Sequence, residues 1–314
     1  MKMRHLVSNG AGFIGSHLID HLMKAESNHV TCIDDFSNGS IHNIHKWLNN
    51  PRFQLIKHNI LLPLSFEVNK IWHLSCYDSS SRLLIDPIHT SRSTILSTLF
   101  LLDLAKANNC DFLFASSSDV YGDPLPSFQD EHYLGNVNSI GSRSCLHEAK
   151  RLAESLCFDY QRMFHLRIHI ARIFDAYGPR MNPSNHHVVP EYIYQLINHK
   201  SINIYGTGEQ IRCFCHVSDI VEGLVYLMNS KHCGPFNLGN PDKVSIFLLA
   251  RIISSALNCE LHIDYKPMRD DEAFSRCPSI DLAKSLLHWE PIVSLENGLM
   301  ETINDIKMKQ ANDN

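Results

Sequence analysis

Apolar residues along the chain follow two alternating patterns. "RHLVS" at 4–8 is a short apolar run of the kind a buried strand shows. "SHLIDHLMKA", after a glycine-rich turn, repeats its apolar residues every three or four positions, as one helix face does. The strand pattern returns in "HVTCIDD" (29–35), "FQLIKHNI" (53–60), "KIWHLS" (70–75) and "CDFLFASSS" (110–118). Helical spacing runs from about Pro87 to Ala107 and from about Ser144 to Met163, and "RIHIARIF" (167–174) reads as a further strand. Strands alternating with helices predict an α/β fold with a doubly wound parallel sheet. After "YGPRM" (177–181) the rhythm shortens into brief helices, brief strands and Pro/Gly turns, which predicts a smaller α/β unit. The expected division is 1–178 and 179–314, with some later segments packing back on the first unit.

Composition narrows the function classes. A chain of 314 residues, 44% apolar and 19% charged, can bury a large core and is not expected to be disordered. A net charge of −5 argues against a nucleic-acid partner or an anionic membrane surface. Ten cysteines occur without a CxxC pair, and Cys32, Cys76, Cys110 and Cys157 sit in apolar runs, so they read as core thiols in a reducing, cytoplasmic setting. No signal peptide or membrane span is expected ahead of the first strand. Twenty histidines are scattered without metal-ligand spacing, so no metal is expected. The polar tail "KMKQANDN" is expected to fray.

Candidate chemistry begins at "SNGAGFIGSHL" (8–18), which joins the first strand to the first helix. Gly12 lets backbone approach a pyrophosphate closely, and Gly15 lets the helix pack tightly on the strand. The helix N-terminus offers N–H groups to phosphate oxygens. Asp34 ends the second strand, where a carboxylate can accept hydrogen bonds from an adenosine ribose. That favours NAD over NADP, because a 2′-phosphate would be repelled. Asn9 stands where a further glycine would begin the motif, and asparagine tolerates the left-handed conformation such a turn needs. Together these features predict a Rossmann-type dinucleotide fold.

With "SSSDVYGDP" (116–124), "ARIFDAYGPRM" (171–181), "YGTGEQIRCF" (205–214), "FNLGNP" (236–241) and the closing "WEP", the chain resembles the extended short-chain dehydrogenase/reductase family. It looks most like the UDP-glucuronate decarboxylase branch, over almost its whole length. The resemblance implies that NAD oxidises the sugar at C4. The resulting 4-keto acid loses CO2, and the same hydride returns to give UDP-xylose. It also implies a nucleotide-sugar partner and a homodimer through a four-helix interface, with a heterodimer as an alternative. Gly12, Phe13, Ile14, Gly15, Asp34, Gly39, Asn59, Ile60, Leu74 and Lys150 fall at the family's cofactor positions. Ser117 falls at the Ser/Thr that holds the sugar oxygen, and Asp119 at an assisting glutamate, one methylene shorter. Lys106, Tyr160, Asp175 and Arg212 fall at substrate positions, with Arg212 expected to neutralise phosphates.

One position breaks the pattern. In "GSRSCLHEAKR" (141–151) Leu146 occupies the place of the proton-transferring tyrosine, four residues before Lys150. Leucine has no proton to exchange. His147 is adjacent but turned by about 100° on a helix, away from the expected site face. Asp175 replaces an asparagine, Ala176 and His187 differ from the family's types, and "SCYDSSS" (75–81) replaces a run that lines the sugar pocket. Structural readings stand beside the chemical ones: Lys150 as a solvated charge, Asp119 as a turn residue, Ser116–Ser118 as a hydrogen-bonded strand end, Arg212 as an ion-pair former, and Tyr121 and Tyr133 as packing residues. Three functions follow from the resemblance: a decarboxylase, an epimerase or dehydratase using Lys150 and Asp119, or an impaired homologue acting as a regulatory or heterodimer partner.

Overall fold

A computed structural model describes residues 2–63, 65–74, 86–268, 270 and 273–313. Six strands appear where the apolar runs predict them: β1 (Met3–Ser8), β2 (Asn28–Asp34), β3 (Phe53–Lys57), β4 (Lys70–His73), β5 (Asp111–Ser117) and β6 (Ile168–Ile173). The long helices are α1 (Phe13–Leu22), α2 (Pro87–Asn108) and α3 (Ser144–Phe164). β3 ends three residues earlier than its apolar run, because the Asn59 side-chain oxygen accepts a 3.0 Å bond from the Leu61 amide and turns the chain.

The second half contributes short elements. They are β7 (Ala176–Tyr177), α4 (Val188–Ile197), β8 (Ile202–Tyr205), β9 (Ile211–Arg212), β10 (Cys215–His216) and α5 (Val217–Asn229). They continue as β11 (Phe236–Leu238), β12 (Val244–Ser245), α6 (Ile246–Leu257), β13 (Ile263–Lys266) and α7 (Leu295–Asp313). The main sheet is parallel, in the order β11-β6-β5-β4-β1-β2-β3. The order reverses direction between β1 and β4, which opens a crevice at the carboxyl ends of the strands. β11, drawn from "PFNLGNP", pairs with β6 and extends the sheet at its edge.

Strand alternation divides the core between the two faces. Leu6, Phe112 and Phe114 pack with Leu101, Leu102, Ala153 and Cys157 of α2 and α3. Val7, Leu113 and Ala115 share the opposite core with Leu18 and Ile19 of α1 and with Ile220 and Leu224 of α5. A third core joins α4, β8, α6 and α7 through Ile193, Ile204, Leu249 and Ile303. Each such side chain contributes about 1.5–3 kcal/mol when fully buried, enough to hold the strand ends that carry the site. Among the described residues, no helix is long and apolar enough to cross a membrane.

Candidate active site

The glycine turn is built for a close approach. Asn9 adopts φ 53°, so the expected left-handed turn forms without glycine there. The Gly12 amide then donates to the Asn9 carbonyl at 3.1 Å. A β-carbon on Gly15 would run into the Asn9 carbonyl oxygen and lie 2.8 Å from the Gly10 Cα, so only glycine lets α1 meet β1. The first turn of α1 has no acidic residue and no side-chain cap, leaving its amides to an anionic ligand.

Asp34 closes this end of the site. Its carboxylate accepts from the Ala11 amide at 2.9 Å and the Phe36 amide at 2.8 Å. Burial raises its pKa, and those two amide bonds oppose the rise. Gly39 lies directly over this carboxylate: a β-carbon there would sit 2.8 Å from Asp34 Oδ2. Asn59 and Ile60 follow β3 beside Asp34, whose carbonyl accepts from the His58 amide at 3.1 Å. Leu74, at the end of β4, is bonded through its amide to Ser8 Oγ at 3.1 Å. The glycine cradle and a carboxylate with spare acceptor capacity fit a dinucleotide of the NAD type, as the spacing predicts.

The reacting end centres on Asp119. β5 ends at Ser117, whose hydroxyl donates to Asp119 Oδ2 at 3.0 Å. Asp119 Oδ1 lies 2.9 Å from Arg276, 3.6 Å from Arg143 and 3.6 Å from His147 Nε2. Burial alone would raise the Asp119 pKa, but Arg276, His147 and Arg143 outweigh it and hold the carboxyl well below its usual range. Lys150 is buried, donates from Nζ to the Ala115 carbonyl at 2.7 Å, and lies 4.9 Å from the Phe114 ring centroid. It is therefore no solvated charge. Leu146, one turn earlier on α3, is fully buried.

Below this edge a polar network fixes the turn. Ser116 Oγ donates to Glu154 at 2.6 Å, and Arg172 grips the same carboxylate with bonds of 3.0 and 2.7 Å. Arg172 also reaches the Tyr121 hydroxyl at 2.9 Å, which in turn donates to Asn237 at 2.8 Å. Burial pushes the Tyr121 hydroxyl up to about 12, and Tyr133 stacks on its ring, so both are packing residues.

Asp175 faces the same charged basin. Burial raises its pKa, while Arg212 and Arg276 pull it down and Asp119 pushes it up. The Arg212 guanidinium donates to the carbonyls of Ala273 and Ile211 at 2.9 Å and of Phe274 at 3.3 Å. It thus pins the 273–274 segment beside the site and adds positive charge.

The structure departs from the sequence reading at three positions. Lys106 and Tyr160 do not join the substrate site. α2 and α3 run back over the sheet, so their C-terminal ends lie at the opposite edge, next to the starts of β5 and β6. There Tyr160 bonds Asp103 at 2.7 Å and Lys106 covers the Phe164 ring at 3.9 Å. His147 is the third departure: it is 2% exposed and faces Asp119. Arg143, His147 and Arg276 were not legible as site residues. "SRCPSI" carries no motif signal, and only the fold brings it to β5. The run 75–81 lies outside the described residues.

Comparison with known proteins agrees with this geometry. Residues 6–239 match the model of the NAD dependent epimerase/dehydratase family. The chain is 43% identical over 308 residues to UDP-glucuronic acid decarboxylase 3 of Arabidopsis thaliana, covering 98% of this chain and 90% of the relative. It is 42% identical to UDP-glucuronic acid decarboxylase 1 of Danio rerio, covering 96% and 72%. The structure of UDP-glucuronic acid 4-epimerase from Bacillus cereus in complex with UDP-glucuronic acid and NAD superposes with a TM-score of 0.89 at 28% identity, over 98% of this chain and all of that one. The family match over residues 6–239 and these likenesses, on a parallel sheet that carries a glycine cradle, place the chain in the NAD dependent epimerase/dehydratase family.

Proposed function

We propose that the protein converts UDP-glucuronate to UDP-xylose and CO2 in an NAD-dependent reaction. The observation that carries this reading is the charged basin at the carboxyl edge of the sheet. Arg143 and Arg276 converge on Asp119, Lys150 lies on the same helix, and Arg212 stands by Asp175. Positive charge in excess of two carboxylates suits a ligand that carries both a diphosphate and a sugar carboxylate. Likeness to decarboxylases at 42–43% identity supports loss of the carboxyl group over inversion at C4.

Bound NAD would supply the acceptor and donor of a hydride. The chain's own residues bind and orient. Asp34 would take the adenosine ribose and the α1 amides the pyrophosphate. Ser117 would hold a sugar hydroxyl, and the arginines the anionic groups. Purified protein incubated with UDP-glucuronate and NAD, followed by mass spectrometry, tests this. UDP-xylose with one CO2 per turnover is expected. Tight NAD binding with no product, or with only the 4-epimer of the substrate, overturns it.

A homodimer through α2 and α3 belongs to the same reading. On α2 the hydroxyls of Ser93, Thr94, Ser97 and Thr98 are buried, while Ile95, Leu96, Leu99 and Phe100 remain partly exposed. The inward hydroxyls are satisfied locally, as when Thr98 donates to the Thr94 carbonyl at 2.7 Å. An apolar ridge facing outward suits a second copy. Light scattering should show a dimer that Leu99→Glu dissociates. Free, buried thiols such as Cys32, Cys110 and Cys157 support a cytoplasmic setting, which cell fractionation tests.

A further inference from the structure

We infer that His147, paired with Asp119, is the proton-transfer group of this site and takes the role that Leu146 cannot fill. The inference rests on the decarboxylase reading above and names the residue that exchanges the sugar's proton.

The argument starts from burial. His147 is 2% exposed, and among the described residues neither ring nitrogen has a hydrogen-bond partner. A buried polar group left unpaired costs about 1–3 kcal/mol, so such an imidazole persists where a ligand or a function answers for it. Its Nε2 stands 3.6 Å from Asp119 Oδ1, beyond a direct hydrogen bond. Asp119 Oδ1 is shared between the Arg276 guanidinium at 2.9 Å, Arg143 at 3.6 Å and this imidazole.

Position supports the same role. His147 lies in the first turns of α3, beside Leu146 and three residues before Lys150, which is fixed to β5. Asp119 is tied to Ser117, the residue at the sugar-holding position. A hydroxyl held at Ser117 therefore lies next to the carboxylate that His147 faces. The charged groups around the imidazole are Asp119 from the turn after β5, Arg276 from the segment after β13, Arg143 from the residue that precedes α3, and Lys150 from its own helix.

The step balances. The O–H bond of the C4 hydroxyl breaks, its proton bonds to the imidazole lone pair, and the O–H electron pair forms the C4=O bond. Bound NAD would supply the acceptor for the C4 hydride. On the return, the imidazolium gives the proton back to the C4 oxygen. Asp119 orients the ring and offsets its transient charge.

The test compares His147→Gln and His147→Asn with the unaltered protein. Both are expected to bind NAD within about threefold of the original affinity, by calorimetry, and to lose about 10²–10⁴-fold in kcat. Adding Leu146→Tyr to His147→Gln should recover at least tenfold, because it returns a proton-transferring hydroxyl one residue away. A merely structural histidine would not be rescued in this way. A second readout is independent of turnover. In histidine-labelled protein loaded with NAD, the NMR resonance lost in His147→Gln should shift when UDP-glucuronate is added. Full kcat in both variants, or an unmoved resonance, overturns the inference. If the unaltered protein binds NAD but forms no UDP-xylose, the decarboxylase reading falls, and the resonance shift still decides whether His147 meets the sugar.

Discussion

The adenosine end of the site and its reacting end share one sheet edge but are held in different ways. At the adenosine end, the contacts are local and made largely by backbone: Asn9 to Gly12, Asp34 to Ala11 and Phe36, and Gly39 over the carboxylate. At the reacting end, the contacts join distant segments through charged side chains: Asp119 from the turn after β5, Arg143 from the residue that precedes α3, His147 from α3, and Arg276 from beyond β13. The first end tolerates little change because backbone needs a fixed space. The second can accept a change of residue more readily, because side chains from several elements can share a task.

The largest effect is expected from Gly15→Val. The new side chain would strike the Asn9 backbone, which cannot move without opening the β1–α1 junction. NAD affinity or folding stability should fall by more than ~3 kcal/mol, read by calorimetry and thermal melts. Near-normal NAD binding in this variant would break the contrast between the two ends. Arg276→Ala comes next. It removes the closest partner of the buried Asp119, with Arg143 and His147 still nearby. A stability loss of about 2–3 kcal/mol in urea is expected, together with weaker UDP-glucuronate binding and little change in NAD binding. Equal losses for both ligands would show that the ends are not separate.

A pH effect of about 2 kcal/mol should arise beneath both ends. His73 is fully buried against Ser8 Oγ at 3.1 Å and Thr98 Oγ1 at 3.0 Å. Burial, aided by the Lys150 charge, lowers its pKa from 6.5 to about 3. The folded state thus binds fewer protons than the unfolded one. Its contribution is complete above pH 6.5 and is lost progressively as the pH falls toward about 3. Urea midpoints at pH 7.5 and 5 should differ accordingly, and His73→Gln should flatten the difference. Smallest is Asp34→Asn. It removes the charge and keeps an acceptor for only one of the Ala11 and Phe36 amides, which bond different carboxylate oxygens. NAD binding should weaken about tenfold, roughly 1.4 kcal/mol, and discrimination against NADP should relax. Unchanged preference for NAD would show that Asp34 does not select the cofactor.

Legibility followed the same division. The glycine turn, Asp34 and the strand ends that carry them depend on short-range spacing, so they could be read directly. Asn9 in the left-handed conformation is the clearest case, since the residue type alone allowed it. Lys150 and Ser117 were assigned by resemblance alone; in the structure Lys150 donates to the Ala115 carbonyl and Ser117 to the Asp119 carboxylate. Lys106 and Tyr160 lie near the C-terminal ends of α2 (22 residues) and α3 (21 residues), and matching position along a helix does not say which end of it lies at the ligand edge. His147 was misjudged from helix geometry alone. A residue about 100° from the Leu146 direction still faces the site if the β5 turn approaches from that side.

The sequence by itself determined the doubly wound fold class, the phosphate-binding turn, the acid that follows it and the absence of a tyrosine at position 146. These depend on periodicity, residue type and local spacing. Tertiary structure alone decided that Arg276 reaches Asp119, that α2 turns its hydroxyls inward and its apolar ridge outward, and that His147 is buried beside the carboxylate. Those facts depend on which segments pack together, and the free energy of burying and pairing charges is set by neighbours that the chain brings from far away in sequence.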